Sequence, residues 1–167
     1  MDCIRPCSDR EHTTILAIVN GAAEAYRGVI PADRWQQPYM TSDELARELA
    51  AGVDFWGYES DGVLLGVMGI QRVRDDVALI RHAYVRPAAQ RQGLGSALLE
   101  HIQRVHHERM LVGTWAAATW AIRFYENHGF ELVPPALTAA LVKSYWTIPD
   151  RQAETSVVLA NPPLDAS

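Results

Sequence analysis

The chain of 167 residues is long enough for one domain with its own hydrophobic core. Apolar residues make up 49% and charged residues 21% of it, a composition that excludes a disordered or fibrous protein. The net charge of −5, without a basic stripe, argues against nucleic acid or acidic membranes as partners. Neither an apolar run of about 18 residues nor a signal-peptide pattern occurs, so we expect a cytoplasmic protein without a membrane span.

The two cysteines, Cys3 and Cys7, lie near the N-terminus, with no further Cys or His pair at metal-ligand spacing. If this segment is a strand, residues four apart are about 13 Å from each other on one face, too far for a disulfide. The sequence therefore predicts two reduced cysteines and no metal site.

The chain opens with a strand pattern over residues 3–7, followed by a helical pattern for which Asp9 is a plausible N-cap. Residues 26–39 are rich in proline and aromatic residues, which predicts an ordered loop.

Thr41 or Ser42 can cap the next helix, and Glu44 completes a capping box with Thr41. Three strand patterns follow, separated by a hairpin signal at Asp61-Gly62 and by a polar turn over residues 74–76. These strands are expected to be antiparallel.

The second half of the chain alternates between helical and strand patterns. In order, they are a helix within residues 93–110, a strand over 111–115, a helix over 120–128 ended by Gly129, a strand over 130–133, a helix over 138–145 and a strand over 154–159.

A glycine-rich turn joins the third strand of the hairpin region to the next helix. The sequence Gln90-Arg91-Gln92-Gly93-Leu94-Gly95 places glycines where a strand turns into a helix. Backbone N–H groups at a helix start and the helix dipole attract anions, and glycines let a phosphate approach closely. The spacing fits neither a P-loop nor the dinucleotide fingerprint, so another kind of anion site and a plain turn both stay open.

Two motifs resemble those of the GNAT superfamily of N-acetyltransferases. Gln90-x-x-Gly93-x-Gly95 fits the family's pyrophosphate motif Gln/Arg-x-x-Gly-x-Gly/Ala, and Val85-Arg86-Pro87 before it fits as well. Residues 121–130 fit the second motif, Ala-x-x-Phe-Tyr-x-x-x-Gly-Phe. The resemblance covers roughly residues 3–160. It implies a mixed α/β sheet of about seven strands with helices on both faces and splayed central strands, in one domain over residues 1–160 with a tail over 161–167.

The resemblance also implies acetyl-CoA as the acyl donor. In the family the pyrophosphate of CoA binds the amides of the glycine turn, and the pantetheine arm pairs with the strand before it. Carried over residue by residue, the CoA-binding residues are Ala83, Tyr84, Val85, Gln90, Arg91, Gln92, Gly93, Leu94, Gly95 and Ser96. A main-chain N–H near Val85 would polarise the thioester carbonyl.

The second motif places Tyr125 at the position of the family's general acid. A phenol with a reference pKa of about 10 is protonated at neutral pH and can donate to the leaving CoA thiolate. The structural alternative is a tyrosine that packs in the core beside Phe124.

The general base is less clearly marked. Family members with a base on this strand carry Glu or His where this chain has Arg81. Strand alternation directs the neighbouring His82 to the opposite face, although a bulge would reverse this. His82 is therefore a candidate for the general base, and the alternative is a hydrogen-bonded structural histidine. Arg81 is a candidate for binding an anionic group of the acceptor. Glu24 and Asp33 are further base candidates.

Acceptor specificity in the family comes from the loop between the first two helices and from the late strands. Aromatic rings offer broad faces to apolar and cationic groups. The candidates for binding the acceptor are Trp35, Tyr39 and Trp115. Ala118 departs from the family's frequent Asn near the pantetheine, a contact that Thr119 could replace.

The expected function is direct acetyl transfer from acetyl-CoA to a primary amine, preferably of a small molecule. A catalytically weak CoA-binding sensor or partner-binding module stays open because of Arg81 and Ala118. A toxin that acetylates aminoacyl-tRNA would need a basic surface, and this chain is acidic. The resemblance also suggests a homodimer.

Overall fold

The computed structural model describes residues 1–164. Its strands are β1 (Asp2–Pro6), β2 (Asp54–Ser60), β3 (Val63–Arg74), β4 (Val77–Val85), β5 (Arg109–Trp115), β6 (Glu131–Leu132) and β7 (Ser156–Asn161). Its α-helices are α1 (His12–Ala22), α2 (Ser42–Ala50), α3 (Leu94–Val105), α4 (Thr119–Glu126), α5 (Pro135–Tyr145) and α6 (Asp150–Glu154). Short 3₁₀-helices cover Asp9–Glu11, Ala23–Tyr26, Ala32–Arg34 and Pro87–Ala89.

The strands form a seven-stranded sheet in the order β1-β2-β3-β4-β5-β7-β6. β2 pairs antiparallel with β1 and β3, and β7 pairs antiparallel with β5 and β6. Asp61 and Gly62 turn β2 into β3 with φ values of +49° and +81°, as a hairpin with a type I′ turn requires. The predicted mixed α/β sheet of seven strands is confirmed, while the splaying of the central strands stays a prediction.

The described chain packs into two compact units. The first unit comprises Met1–Ala25, Gln36–Arg72 and Ile80–His107. Its buried apolar core consists of Ile15, Ile18, Val19, Met40, Leu45, Val53, Phe55, Leu64 and Val67. On α2, Leu45 is part of this core and Leu49 packs against it. The same contacts fix the position of Glu48, which is a neighbour of Leu49 on the helix.

The second unit comprises Tyr26–Trp35, Val73–Leu79 and Glu108–Ser167, of which residues 165–167 lie outside the described part. Its core consists of Val77, Leu79, Leu111, Val133, Val142, Val158 and Ala160. Gly113 on β5 packs against the indole of Trp146. A Cβ atom added to Gly113 would lie only 3.4 Å from that ring. The core of this unit therefore forms around β5, β7 and α5.

Some predicted boundaries differ from the structure. Asp9 is wrong as an N-cap: the 3₁₀-helix starts with it, and the N–H of Ser8 donates to the Glu11 carboxylate over 2.8 Å. β6 is shorter than predicted, and α6 was not predicted. The predicted tail begins within β7, which ends at Asn161, and residues 165–167 of that tail lie outside the described residues.

Both cysteines are free, with Cys3 exposed and Cys7 half-buried. Burial raises the pKa of the Cys7 thiol to about 11, so this thiol is protonated near neutral pH and a weak nucleophile. Within residues 1–164 no helix is long and apolar enough to cross a membrane.

Candidate active site

The turn between β4 and α3 has a left-handed backbone at two positions. Arg91 has φ +65° and Gly93 has φ +81°. Ala97 N donates to Gly93 O over 3.0 Å at the start of the helix, so the amides of the first turn before it have no partner within the helix. These N–H groups and the positive end of the helix dipole can bind an anion.

There is room for an anion at this turn. A Cβ atom added to Gly93 would meet no heavy atom of residues 1–164 within 4 Å. Gln90, Arg91 and Gln92 are exposed, whereas Leu94 is buried and anchors the start of α3. The turn predicted from its glycines therefore has the geometry and the charge to hold a phosphate-bearing ligand.

Side chains tie this turn to the neighbouring strands. Gln90 Nε2 donates to Val85 O over 3.0 Å. Arg86 donates twice to β3, from Nε to Leu64 O and from its backbone N to Leu65 O, both over 2.8 Å. The Arg86 side chain is thus committed to the sheet, and these bonds set the path of the chain from β4 into the turn.

The predicted partners of the pantetheine arm, Ala83, Tyr84 and Val85, are the last three residues of β4 and are half-buried. Gly66 on β3 allows their close approach: a Cβ there would lie 3.3 Å from Tyr84 O and 3.2 Å from Val85 Cγ2. Their main-chain groups remain candidates for pairing with an extended ligand.

The backbone of β4 is left-handed at His82, where φ is +57°. This conformation costs a non-glycine residue about 1 kcal/mol or more, because Cβ approaches the following carbonyl oxygen. It also interrupts the alternation of the strand. The side chains of Arg81 and His82 reach the same carboxylate, that of Glu48 on α2. The expectation that these two neighbours point to opposite faces is therefore wrong.

Glu48 connects the two side chains through one oxygen atom. Arg81 Nη2 lies 3.0 Å and His82 Nε2 3.5 Å from Glu48 Oε1. The second distance is an ion-pair distance at the outer limit of a hydrogen bond. Among the described atoms Glu48 Oε2 is buried and has no hydrogen-bond partner. The side chains are 20%, 15% and 18% exposed for Glu48, Arg81 and His82, so the cluster is largely shielded from water.

The charge on Glu48 follows from these contacts. Burial opposes ionisation, but His82 and the charges of Arg81 and Arg47 outweigh it and hold the pKa of Glu48 below its ordinary value. Burial lowers the pKa of Arg81, and Glu48 opposes that effect. The cluster therefore contains a carboxylate that is ionised at neutral pH.

Further contacts hold the cluster in place. Arg81 Nη1 donates to Gln71 Oε1 over 3.2 Å, and Gln71 Nε2 donates to Ala51 O over 2.9 Å at the end of α2. The ring of Phe55 stacks on the imidazole of His82, with centroids 6.1 Å apart. With its guanidinium bound to Glu48 and Gln71, Arg81 has a structural role in addition to the predicted role in acceptor binding.

The sequence offered little sign of Glu48, which precedes Arg81 by 33 residues. The one available signal is its place on α2: it lies beside Leu49, which packs on the core. An acidic residue at the border of an apolar helix face is often half-buried and therefore paired.

Tyr125, the predicted acid, is on α4 in the second unit and is 6% exposed. Its ring packs edge-on against Phe124 and Phe130, with centroid distances of 5.1 and 5.5 Å. Burial, with a smaller contribution from Tyr26, raises the pKa of the Tyr125 phenol above its ordinary value. The group is therefore a protonated donor throughout the neutral range.

The aromatic candidates have different environments. Trp35 is half-buried, with the guanidinium of Arg27 5.0 Å from its ring centroid. Tyr39 is half-buried in the first unit. Trp115 is 6% exposed at the end of β5, which leaves little of its ring for a ligand. Their role in acceptor binding stays a prediction.

The other candidates are less favourably placed as bases. Glu24 is exposed. Asp33 is 60% exposed and accepts from Arg151 Nε over 3.2 Å. Ala118 is fully buried directly before α4, and the neighbouring Thr119 is exposed at the first position of that helix.

Comparison with known proteins identifies the family of this chain. Residues 51–132 match the family model of the acetyltransferase (GNAT) domain. Over 125 residues the chain is 30% identical to the peptidyl-lysine N-acetyltransferase YiaC of Escherichia coli K12, an alignment that covers 66% of this chain and 82% of YiaC.

Solved structures share the fold. The PaiA N-acetyltransferase of Thermoplasma acidophilum, crystallised with coenzyme A, has a TM-score of 0.72 at 15% identity, covering 96% of this chain and 98% of its own. The ribosomal-protein-S18-alanine N-acetyltransferase of Escherichia coli has a TM-score of 0.67 at 21% identity, covering 96% and 92%. The chain belongs to the GNAT acetyltransferase family, as its two motifs predicted.

Proposed function

We propose that this protein transfers the acetyl group of acetyl-CoA directly to a primary amine. The observation that carries the proposal is the turn at the start of α3, where left-handed residues and open space at Gly93 surround helix amides without helical partners. In a member of this family, such a turn is suited to the pyrophosphate of CoA.

The donor would be held by main-chain groups of the first unit. The amides from Arg91 to Ser96 would receive the pyrophosphate, and the backbone of Ala83, Tyr84 and Val85 would pair with the pantetheine arm. Acetyl-CoA supplies an activated acyl group, because its thiolate is a better leaving group than an amine. The PaiA neighbour was crystallised with coenzyme A, which supports acetyl-CoA as the donor.

On the acceptor side, the nucleophile must be a neutral amine. We assign to His82 the proton that the ammonium group loses, since an imidazole can act as a general base near neutral pH. The amine nitrogen then forms the C–N bond with the acyl carbon, and the C–S bond breaks. The Tyr125 phenol donates a proton to the sulfur, giving a free CoA thiol. The acylated nitrogen loses its second proton to solvent, giving the amide, and the Tyr125 phenolate regains a proton from solvent.

Transfer without an acyl-enzyme is supported by the state of the cysteines. A covalent route would need an activated nucleophile. The raised pKa of about 11 keeps Cys7 protonated, and Cys3 is exposed on the edge strand β1, with Sγ 3.6 Å from a carboxylate oxygen of Glu59.

For the acceptor we propose the amine of a small molecule, supported by the aromatic residues Trp35 and Tyr39 and by the net charge of −5, which favours a cation. A lysine side chain in a peptide is the second candidate, supported by the likeness to YiaC, a peptidyl-lysine N-acetyltransferase. Both present a primary alkylamine to the same chemistry.

The alternative of a catalytically weak CoA sensor rests on Arg81 and Ala118. The ion pair with Glu48 is a structural reason for Arg81 to occupy a position where family members with a base carry Glu or His. Loss of catalysis is therefore not needed to explain it.

The deciding experiment measures thiol release from acetyl-CoA with a panel of small primary amines and with a lysine peptide, against the same peptide acetylated on lysine. Turnover with small amines supports the proposal in full. Turnover with the unmodified peptide alone assigns the acceptor to the lysine class. CoA binding without any turnover would establish the sensor instead.

The CoA site has its own test in Gly93→Ala. A methyl group at φ +81° strains the turn and projects into the space proposed for the pyrophosphate, so we expect the Kd of CoA to rise about tenfold, which corresponds to about 1.4 kcal/mol. Isothermal titration calorimetry measures the change.

Gly62→Ala is the matched control. Gly62 has the same φ of +81° and the same open surroundings, but it lies in the turn between β2 and β3. Both variants should lose similar stability, and only Gly93→Ala should lose CoA affinity. Equal Kd values of CoA for the two variants would contradict the assignment of the pyrophosphate to this turn.

A further inference from the structure

Glu48 has no role in the chemistry described so far, yet its carboxylate lies against the proposed base. The left-handed backbone at His82 directs Nε2 of the imidazole to Glu48 Oε1 at 3.5 Å. Phe55 stacks on the same ring. A strained conformation at a non-glycine residue persists only where its surroundings hold it, and such positions concentrate at functional sites.

The contact with Glu48 involves only one of the two nitrogen atoms of the His82 imidazole, Nε2. Nε2 of His82 is buried at ion-pair distance from Glu48 Oε1 and makes no hydrogen bond within residues 1–164. A carboxylate beside Nε2 favours the tautomer that carries the proton on this nitrogen, and the lone pair then resides on Nδ1.

The carboxylate of Glu48 is incompletely paired within the cluster. Glu48 Oε1 is shared between Arg81 and His82, and Oε2 is buried with no hydrogen-bond partner among the described atoms. A buried carboxylate oxygen without a partner is costly, and a nearby cation reduces that cost. An imidazolium at His82 would supply the cation.

We propose that Glu48 is a positioning residue for acetyl transfer, which orients His82 through Nε2 and stabilises the imidazolium formed when Nδ1 accepts the proton of the acceptor ammonium. The inference rests on the proposed function and adds a group to it. The proton passes from the amine nitrogen to Nδ1, the ring gains one positive charge, and the proton leaves to solvent after transfer. Arg81 limits the effect, because it neutralises part of the charge on Glu48.

The main test is the pH dependence of kcat in Glu48→Gln. Glutamine keeps the shape and an acceptor oxygen for Arg81 but has no charge. We expect kcat to fall roughly tenfold and the acid limb of the profile to move to lower pH, because the imidazolium loses its counter-charge. The charged groups that act on the Glu48 carboxylate beside His82 are Arg47 from α2 and Arg81 from β4, and the uncharged Phe55 from β2 stacks on the imidazole.

The variant Arg81→Met distinguishes a role of Glu48 in catalysis from a role only in binding Arg81. Without the guanidinium, the whole charge of Glu48 acts on His82, so the acid limb should move to higher pH, opposite to Glu48→Gln. If Glu48 served only to bind Arg81, the two substitutions would break the same ion pair and would change the pH profile of kcat in the same way. Asp43→Asn, which removes an exposed carboxylate from the same helix, controls for the loss of charge on α2.

The possible outcomes distinguish a failure of the role proposed for Glu48 from a failure of the proposed acetyl transfer. Opposite shifts in Glu48→Gln and Arg81→Met, with CoA affinity retained, establish the role of Glu48. Turnover by all variants with unmoved or parallel profiles overturns that role and leaves the proposed function intact. No turnover by the unaltered protein with any amine or peptide overturns both.

Discussion

Tyr125→Phe lowers kcat about a hundredfold and leaves the Kd of CoA unchanged, if the phenol is the acid for the leaving thiolate. The substitution removes one oxygen and keeps the ring that packs on Phe124 and Phe130. Because the raised pKa keeps the phenol protonated, the loss should be uniform from pH 6 to about pH 9, a range below the reference value for tyrosine. Steady-state thiol release at several pH values, with calorimetric titration of CoA, measures both quantities.

Tyr58→Phe is a suitable control for this experiment. Tyr58 is on β2, and its hydroxyl donates to Asp2 over 2.8 Å at the surface. The control should retain the kcat of the unaltered protein. An undiminished kcat in Tyr125→Phe would show that the thiolate leaves without this acid. Tyr125 would then have only a packing role in the core.

Local signals account for most of the secondary structure. Thr41 caps α2 as predicted, since its Oγ1 accepts from Glu44 N over 3.1 Å. Asp61-Gly62 makes the predicted turn because a short polar residue and a glycine both tolerate positive φ. Such signals depend on a few adjacent residues, so they can be read from the sequence. The five-residue helix α6, which was not predicted, carries too few residues to show a period.

The two parts of the candidate site differ in how far the sequence could predict them. The anion-binding turn could be predicted, because Gly93 occupies a position where the backbone is left-handed. The cluster of Glu48, Arg81 and His82 could not, because it depends on a single backbone torsion in β4 and on a contact across 33 residues. A strand pattern assumes regular alternation, and one left-handed residue reverses the side chains around it.

His82 therefore combines an unfavourable backbone conformation with an unusual placement of its side chain. Among the non-glycine residues that the structure describes, Asp61 and Arg91 are the others with positive φ, and both lie in turns. His82 differs in lying within a strand, where the tertiary contacts must hold the strain. Gly69 on β3 contributes to this, since a Cβ there would lie 2.8 Å from Arg81 O.

His82→Gly should lower kcat/KM about a hundredfold, because the proposed base is lost while glycine accepts the left-handed backbone. The space left by the imidazole lies between Phe55 and Glu48, the two groups that contacted the ring. Added imidazole should enter it and restore part of the activity in proportion to its concentration. Thiol release measured with and without imidazole tests this, and CoA affinity should be unchanged.

Comparison with His82→Val tests the backbone argument independently of activity. At an ordinary strand position valine is favoured over glycine, but at φ +57° its branched Cβ is strained. The free energy of unfolding should therefore be about 1 to 2 kcal/mol greater for His82→Gly than for His82→Val. The reverse order in urea unfolding would mean that β4 is regular in solution, and His82 would then point away from Glu48.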